Sequence, residues 1–127
     1  MKPEDLPPHI LRLIRGVRKI TVATIRKGRW RKGQCSWCRG PVKKPNRMWC
    51  VNDICLASFL ELQSQVRLCR ERAKGKCKVC KKRFAKLEVD HIIPVSQGGL
   101  TLLTNLQAIC HFCHLIKGAE DRKKYSK

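Results

Sequence analysis

The chain is predicted to be a small, metal-stapled α+β protein: a C-terminal ββα unit preceded by an N-terminal helix and a four-cysteine knuckle, with a further helix joining the two. Three observations predict this class. The cysteines fall in four close pairs, Cys35-x2-Cys38, Cys50-x4-Cys55, Cys77-x2-Cys80 and Cys110-x2-Cys113, with Cys69 alone. Four such pairs are what two tetrahedral four-thiolate zinc sites require, because a short knuckle presents two sulfurs to one ion. The hydrophobic residues, 43% of 127, are spread over short runs, so a large single core is not available and bound metal makes up the difference. Apolar spacing, finally, turns helical after Cys55 and alternating over Phe84–Asp90, after the knuckle at 77–80.

Taken in order, Pro7-Pro8 starts a helix near residues 8–19, in which Leu6, Ile10, Leu13 or Ile14, and Val17 recur at helical spacing. Ile20–Ile25 is rich in β-branched residues and reads equally as a strand or as the end of that helix. A basic loop around Trp30 leads to Cys35, and Pro41 and the Pro45-Asn46 pair mark turns before Trp49-Cys50. Phe59, Leu62, Val66, Cys69 and Ala73 then predict a helix over roughly 56–73, ended by Gly75, with Glu61, Gln63, Gln65, Arg67 and Arg70 on its outer side. Cys69 accordingly faces a core. A second knuckle at 77–80, an alternating stretch over Phe84–Asp90, a loop with Pro94 and Gly98-Gly99, an apolar stretch at Leu106–Ile109 and a helix from Cys110 or His111 complete the unit. Three segments follow: 1–34, basic helix and loop; 35–74, knuckle and linking helix; 75–127, the ββα unit with a basic tail. No internal repeat is evident, although both halves present four cysteines ahead of or at the start of a helix.

Lysine and arginine outnumber aspartate and glutamate 29 to 9, a formal net charge of +20, which falls to about +16 if eight thiolates hold two zinc ions. Between Asp5 and Asp53 there is no acidic residue, while 13 arginines and lysines fall in the gap. Such a field fits a polyanion, nucleic acid first. An anionic membrane surface fits less well, because the basic run has no long apolar face, and no apolar run reaches the roughly 20 residues of a membrane span. With no signal-like opening stretch, a reducing cytoplasm is expected, where paired cysteines serve metal more than disulfides.

Within the second four-cysteine frame lie Asp90, His91, Asn105 and His114. Separately each has an ordinary explanation as a turn former, cap or structural histidine. Jointly, the zinc that pins the hairpin to the helix brings an acid, two imidazoles and an amide near one point. One difficulty stands: Asp90 and His91 are neighbours, which a regular strand points to opposite faces, so their joint use calls for a strand end or a bulge.

The runs Leu87-Glu88-Val89-Asp90-His91-Ile92-Ile93-Pro94-Val95, Gly98-Gly99, Asn105-Leu106-Gln107-Ala108-Ile109-Cys110-His111-Phe112-Cys113-His114 and Lys117 resemble the HNH endonuclease family in its zinc-stapled, treble-clef-like ββα-metal form, over residues 77–117. The earlier unit, with Trp49-Cys50 and Asp53 before Cys55, is similar to a zinc knuckle preceding the nuclease unit in some phage and bacterial relatives, but has four residues between the later cysteines where those have three. The resemblance implies His91 as general base, Asp90 and His114 as ligands of a catalytic divalent ion, Mg2+ or Mn2+, and Asn105 as a brace for the loop that orients His91. It implies Cys77, Cys80, Cys110 and Cys113 as structural zinc ligands, with Cys35, Cys38, Cys50 and Cys55 as a second structural set, and Lys117 as a phosphate contact.

The chemistry of the residues agrees with those roles. Neutral imidazole takes a proton from water at neutral pH, and carboxylate with imidazole holds one hard ion with positions left open. One ion is expected, since Asp90 is the evident carboxylate and Glu88 only a spare on the same strand face. Lys82, Arg83 and Lys86 frame the approach, and Arg29, Trp30 and Arg31 extend the contact along DNA; Trp37 and Trp49 fill the thin core of the first knuckle. The expected activity is hydrolysis of double-stranded DNA. The alternative is a non-catalytic, zinc-dependent nucleic-acid-binding module; a protein-docking adaptor leaves the charge and histidines without a task.

Overall fold

Pro8 at the first helical position starts α1 (Pro8–Ile14), whose Ile10 and Ile14 are fully buried. The computed structural model describes residues 1–44, 46–50 and 52–126, so Pro45 of the expected turn lies outside the described residues. α1 stops five residues short of the expected end at 19. Arg15 is extended, Gly16 has φ 72°, and a Cβ on Gly16 would stand 3.3 Å from the Val95 carbonyl. A tertiary contact with a loop eighty residues away thus overrides helical periodicity. Ile20–Ile25 is neither strand nor continuation: Thr21 and Thr24 exchange side-chain-to-backbone bonds and cap a separate turn, α2 (Val22–Ile25).

The linking helix is two helices, α3 (Ile54–Gln63) and α4 (Gln65–Ala73), broken at Ser64. The break turns Gln65 inward, where the sequence places it outside. Gln65 is 0% exposed, donates to the Glu61 carbonyl and accepts the Leu103 N–H, so its amide is satisfied while it joins the two halves.

Beyond the second knuckle the chain forms β1 (Glu88–His91), a 3-10 turn at Val95–Gln97, another at Leu103–Asn105, β2 (Leu106–Ile109) and α5 (His111–Tyr125). The strands are antiparallel, pairing Glu88 with Ile109, Asp90 with Gln107 and His91 with Leu106. β1 starts later than the alternating stretch suggests, because the Phe84 N–H closes the knuckle onto the Gly75 carbonyl instead of pairing with β2. β2 and α5 lie where the apolar runs place them. The result is a compact α+β fold with a C-terminal ββα unit.

Two clusters of buried side chains hold this together. One gathers Leu6, Ile10, Ile14, Ile25, Trp37, Phe59 and Leu62 with Leu102, and Trp49 packs on it, its ring 5.2 Å from that of Phe59. The other gathers Cys69, Leu87, Leu106, Ala108 and Ile109 around the second cysteine set. Leu102 belongs to the loop of the ββα unit yet is buried against the N-terminal helix, so the first core clamps that loop. Among the described residues no helix is long and apolar enough to cross a membrane.

The knuckles repeat one another, contrary to the sequence reading. Cys35 N–H bonds Gly40 O, Arg39 N–H bonds Cys35 O and Val42 N–H bonds Gly33 O; Cys77 to Lys82, Lys81 to Cys77 and Phe84 to Gly75 reproduce this pattern. Arg39 and Lys81, each just after the second cysteine, share a left-handed backbone at φ 64° and 66°. Backbone geometry carries the repeat, and among the residues that make these bonds the cysteines, the Gly33 and Gly75 pair and the basic Arg39 and Lys81 coincide in type.

Candidate active site

Each cysteine frame draws its four sulfurs within 4.8 Å of one another, Cys35, Cys38, Cys50 and Cys55 in one and Cys77, Cys80, Cys110 and Cys113 in the other. Sulfurs around one zinc at about 2.3 Å stand roughly 3.8 Å apart. Cys38 to Cys50 at 3.3 Å, Cys50 to Cys55 at 3.7 Å and Cys80 to Cys110 at 4.0 Å bracket that value, so both frames fit zinc. Burial works against a thiolate at Cys77, but the backbone N–H groups of Cys80, Cys110 and Val79 outweigh it and hold the thiol down at about 6. The same balance brings Cys35 to about 7. Cys69 lies outside both frames, 8% exposed in the second core, where burial raises its pKa.

The second frame fixes α5 against β1, and a cleft of ≈ 370 Å³ opens between them, lined by Asp90, His91 and His114 together with Arg18, Val89, Pro94, Val95, Ser96 and Asp121. Asp90 and His91 both reach this cleft from a regular ladder, and His91 is the last residue of β1, a strand end rather than a bulge.

Hydrogen bonds decide which atoms of these side chains are available. Glu88 Oε2 lies 3.0 Å from His114 Nδ1, and Glu88 Oε1 lies 3.2 Å from His111 Nδ1. A carboxylate only accepts, so the neutral His114 ring carries its proton on Nδ1 and its lone pair on Nε2. That Nε2 faces Asp90 Oδ1 at 3.5 Å. Asp90 Oδ2, meanwhile, accepts from Gln107 Nε2 at 3.1 Å and is paired with Lys117 Nζ at 3.1 Å. In the neutral form of the ring, the Nε2 lone pair and Asp90 Oδ1 face each other, an arrangement that a cation between them satisfies. Neighbouring ligands of one hard ion at about 2.1 Å stand about 3 Å apart, so Oδ1 and Nε2 fit a divalent cation after a small closure.

His91 Nε2 lies 2.9 Å from Thr101 Oγ1, and that hydroxyl donates its proton to the Val17 carbonyl at 3.0 Å, with the Arg18 carbonyl at 3.3 Å. The hydroxyl is therefore the acceptor toward His91, which places the proton on Nε2 and leaves Nδ1 as the basic nitrogen. Burial, then the Arg18 guanidinium, hold the His91 pKa below the ordinary histidine value against the pull of Asp90. The balance favours the neutral ring.

Asn105 ties the intervening loop at both ends. Its amide donates to the carbonyls of Ile93, at 3.1 Å, and Leu100, at 2.9 Å, and its oxygen accepts the Ile93 N–H at 2.8 Å. Gly98 and Gly99 allow that loop its shape: Gly98 has φ 80°, and a Cβ on Gly99 would run into the Ile93 carbonyl.

Lys117 is placed differently from a free phosphate contact. Its three N–H groups meet the Asp90 carboxylate, the Asp121 carboxylate and, at 2.9 Å, the His91 carbonyl. Burial disfavours the ammonium, but Asp121 and Asp90 more than compensate and raise its pKa. Three carboxylates therefore surround the site where the sequence suggested one with a spare. Only Asp90 faces the gap at His114 Nε2, since Glu88 is on the far nitrogen and Asp121 is held by Lys117. Asp121 was legible in principle, because His114, Lys117 and Asp121 follow one helix face at spacings of three and four. Nothing in the sequence marks Thr101 or Arg18.

Around the cleft and the knuckles, Lys82, Arg83 and Lys86 are exposed, and Arg83 donates to the Lys74 carbonyl. Arg29 and Arg31 are exposed, whereas Trp30 is partly buried beneath the Arg26 guanidinium at 4.2 Å, its indole N–H bonded to the Gln34 carbonyl. The profile of the HNH endonuclease family matches residues 77–120. No curated protein matches the chain.

Proposed function

From the match of residues 77–120 to the HNH endonuclease family, we propose that the chain is a metal-dependent endonuclease that hydrolyses phosphodiester bonds of double-stranded DNA. The observation that carries this reading is the convergence of Asp90 Oδ1 and His114 Nε2 at 3.5 Å in the cleft that His91 also lines.

In this reading Asp90 and His114 would hold one Mg2+ or Mn2+ ion, which would supply charge relief on the scissile phosphate and on the departing 3′ oxygen. His91 Nδ1 takes a proton from water as the water oxygen bonds to phosphorus and the bond to the 3′ oxygen breaks, leaving a 5′-phosphate and a 3′ oxygen that takes a proton from a solvent water to become a hydroxyl. Asn105 fixes the loop that follows His91, and Thr101 fixes the tautomer. The basic surface of Lys82, Arg83, Lys86, Arg29 and Arg31 supplies affinity for the backbone without choosing a base sequence, with Trp30 at its edge. The family match over residues 77–120 accords with work on DNA.

Plasmid cleavage tests this. Wild type with Mg2+ or Mn2+ nicks or linearises supercoiled plasmid and His91→Ala loses on the order of 10²-fold or more in rate, the range of general-base contributions. Binding without turnover by both proteins would leave the non-catalytic module as the better description.

A further inference from the structure

Arg18 comes from the N-terminal segment, outside the family-matched residues 77–120, yet it lines the cleft beside Asp90, His91 and His114. We infer that Arg18 is a catalytic residue of this site, its guanidinium binding the non-bridging oxygens of the scissile phosphate. The inference rests on the nuclease reading and assigns it a phosphate-binding group.

Three observations lead here. The cleft has cations near it, but Lys117 has its three N–H groups committed to Asp90, Asp121 and a carbonyl. Arg18 is exposed, and its guanidinium has no hydrogen-bond or carboxylate partner among the described residues. A planar fork of N–H donors left unpaired next to a metal seat matches phosphate in charge and shape.

The segment is also anchored. The Val17 and Arg18 carbonyls receive the Thr101 hydroxyl that orients His91, and Gly16 lies against the Val95 carbonyl at a spacing that leaves little room for a side chain. The backbone that carries Arg18 is therefore tied to the hydrogen-bond chain of the base. As phosphorus gains the water oxygen and loses the 3′ oxygen, negative charge grows on the non-bridging oxygens, and Arg18 meets it with hydrogen bonds and transfers no proton. The ββα unit thus supplies base and metal seat, and the N-terminal unit supplies the anion contact.

The test compares full-length wild type, Arg18→Ala and Arg18→Lys in single-turnover cleavage of duplex DNA, with zinc content and Mn2+ affinity by calorimetry measured on each. The expected result is a loss of about 10²-fold in rate at saturating DNA for Arg18→Ala, the scale of removing one such donor. Arg18→Lys recovers part of this, while both zinc ions and the Mn2+ affinity are retained. Cleavage by Arg18→Ala within about threefold of a competent wild type, or a rate loss that tracks lost zinc or Mn2+, overturns the assignment alone. A wild type that neither binds Mn2+ nor cuts removes the nuclease reading, and the role of Arg18 with it.

Discussion

Two imidazoles in this cleft are held by opposite nitrogens, His114 through Nδ1 and His91 through Nε2, and in each case a single neighbour holds that nitrogen. Glu88 keeps the His114 proton on Nδ1, and its other oxygen on His111 fixes its own position. If His114 holds the proposed ion, an acceptor behind such a ligand typically contributes 10- to 100-fold, so Glu88→Ala is expected to weaken Mn2+ binding by on the order of 10-fold or more in calorimetry. Unchanged affinity would remove Glu88 from this role. Thr101 acts likewise on His91: Thr101→Val keeps the buried volume but leaves His91 Nε2 and the Val17 carbonyl without their partner. Its single-turnover rate is expected to fall about tenfold with zinc content unchanged. At this scale the sequence showed which residue types belong to the site, since Asp90, His91, Asn105 and His114 are locked to the cysteine spacing. It did not show which atoms face one another, because that depends on Thr101 and Glu88, whose residue types are common in any loop or strand.

The elements that matter most are those that the hydrophobic pattern described least well. β2 lies where its apolar run places it because Leu106, Ala108 and Ile109 are buried in the second core, and α5 starts where the cysteine spacing places it because Cys110 and Cys113 are anchored there. α1 ends early because Gly16 meets Val95, and the linking helix breaks at Ser64 because Gln65 satisfies both Glu61 and Leu103. Neither cause is local in sequence, so no window of neighbouring residues contains it. The loop between β1 and β2 is legible in part, its glycine pair signalling a tight path without saying what it passes. Gly99→Ala brings a Cβ onto the Ile93 carbonyl, and overpacking of this kind costs about 1–3 kcal/mol. Thermal unfolding of that variant should show a lowered midpoint, and an unchanged one would mean that the loop yields freely.

Across the whole molecule, two similar knuckles do different work. The second centres the ββα unit, and the first, with its own core, clamps Leu102 and carries the segment from Gly16 to Arg18 to the cleft. Metal binding and folding are coupled in such small units. Cys77→Ala is expected to lose one of two zinc equivalents and all cleavage. Cys35→Ala is expected to lose the other zinc while the ββα core persists, with cleavage impaired through the displaced N-terminal segment. Zinc analysis alongside cleavage separates the two, and loss of both metals from either variant would argue for one inseparable core. The charge of +20 was plain from composition, and its concentration before Asp53 pointed to DNA without saying that one of those arginines lines the cleft with Asp90, His91 and His114.

The most direct measurement is anomalous diffraction from crystals of the zinc-loaded protein soaked in Mn2+, with data collected at the manganese edge. A peak between Asp90 Oδ1 and His114 Nε2, separate from both cysteine clusters, is the expected result. Manganese bound elsewhere, or Asp90 and His114 remaining apart with no peak between them at a concentration that supports cleavage, would contradict the account.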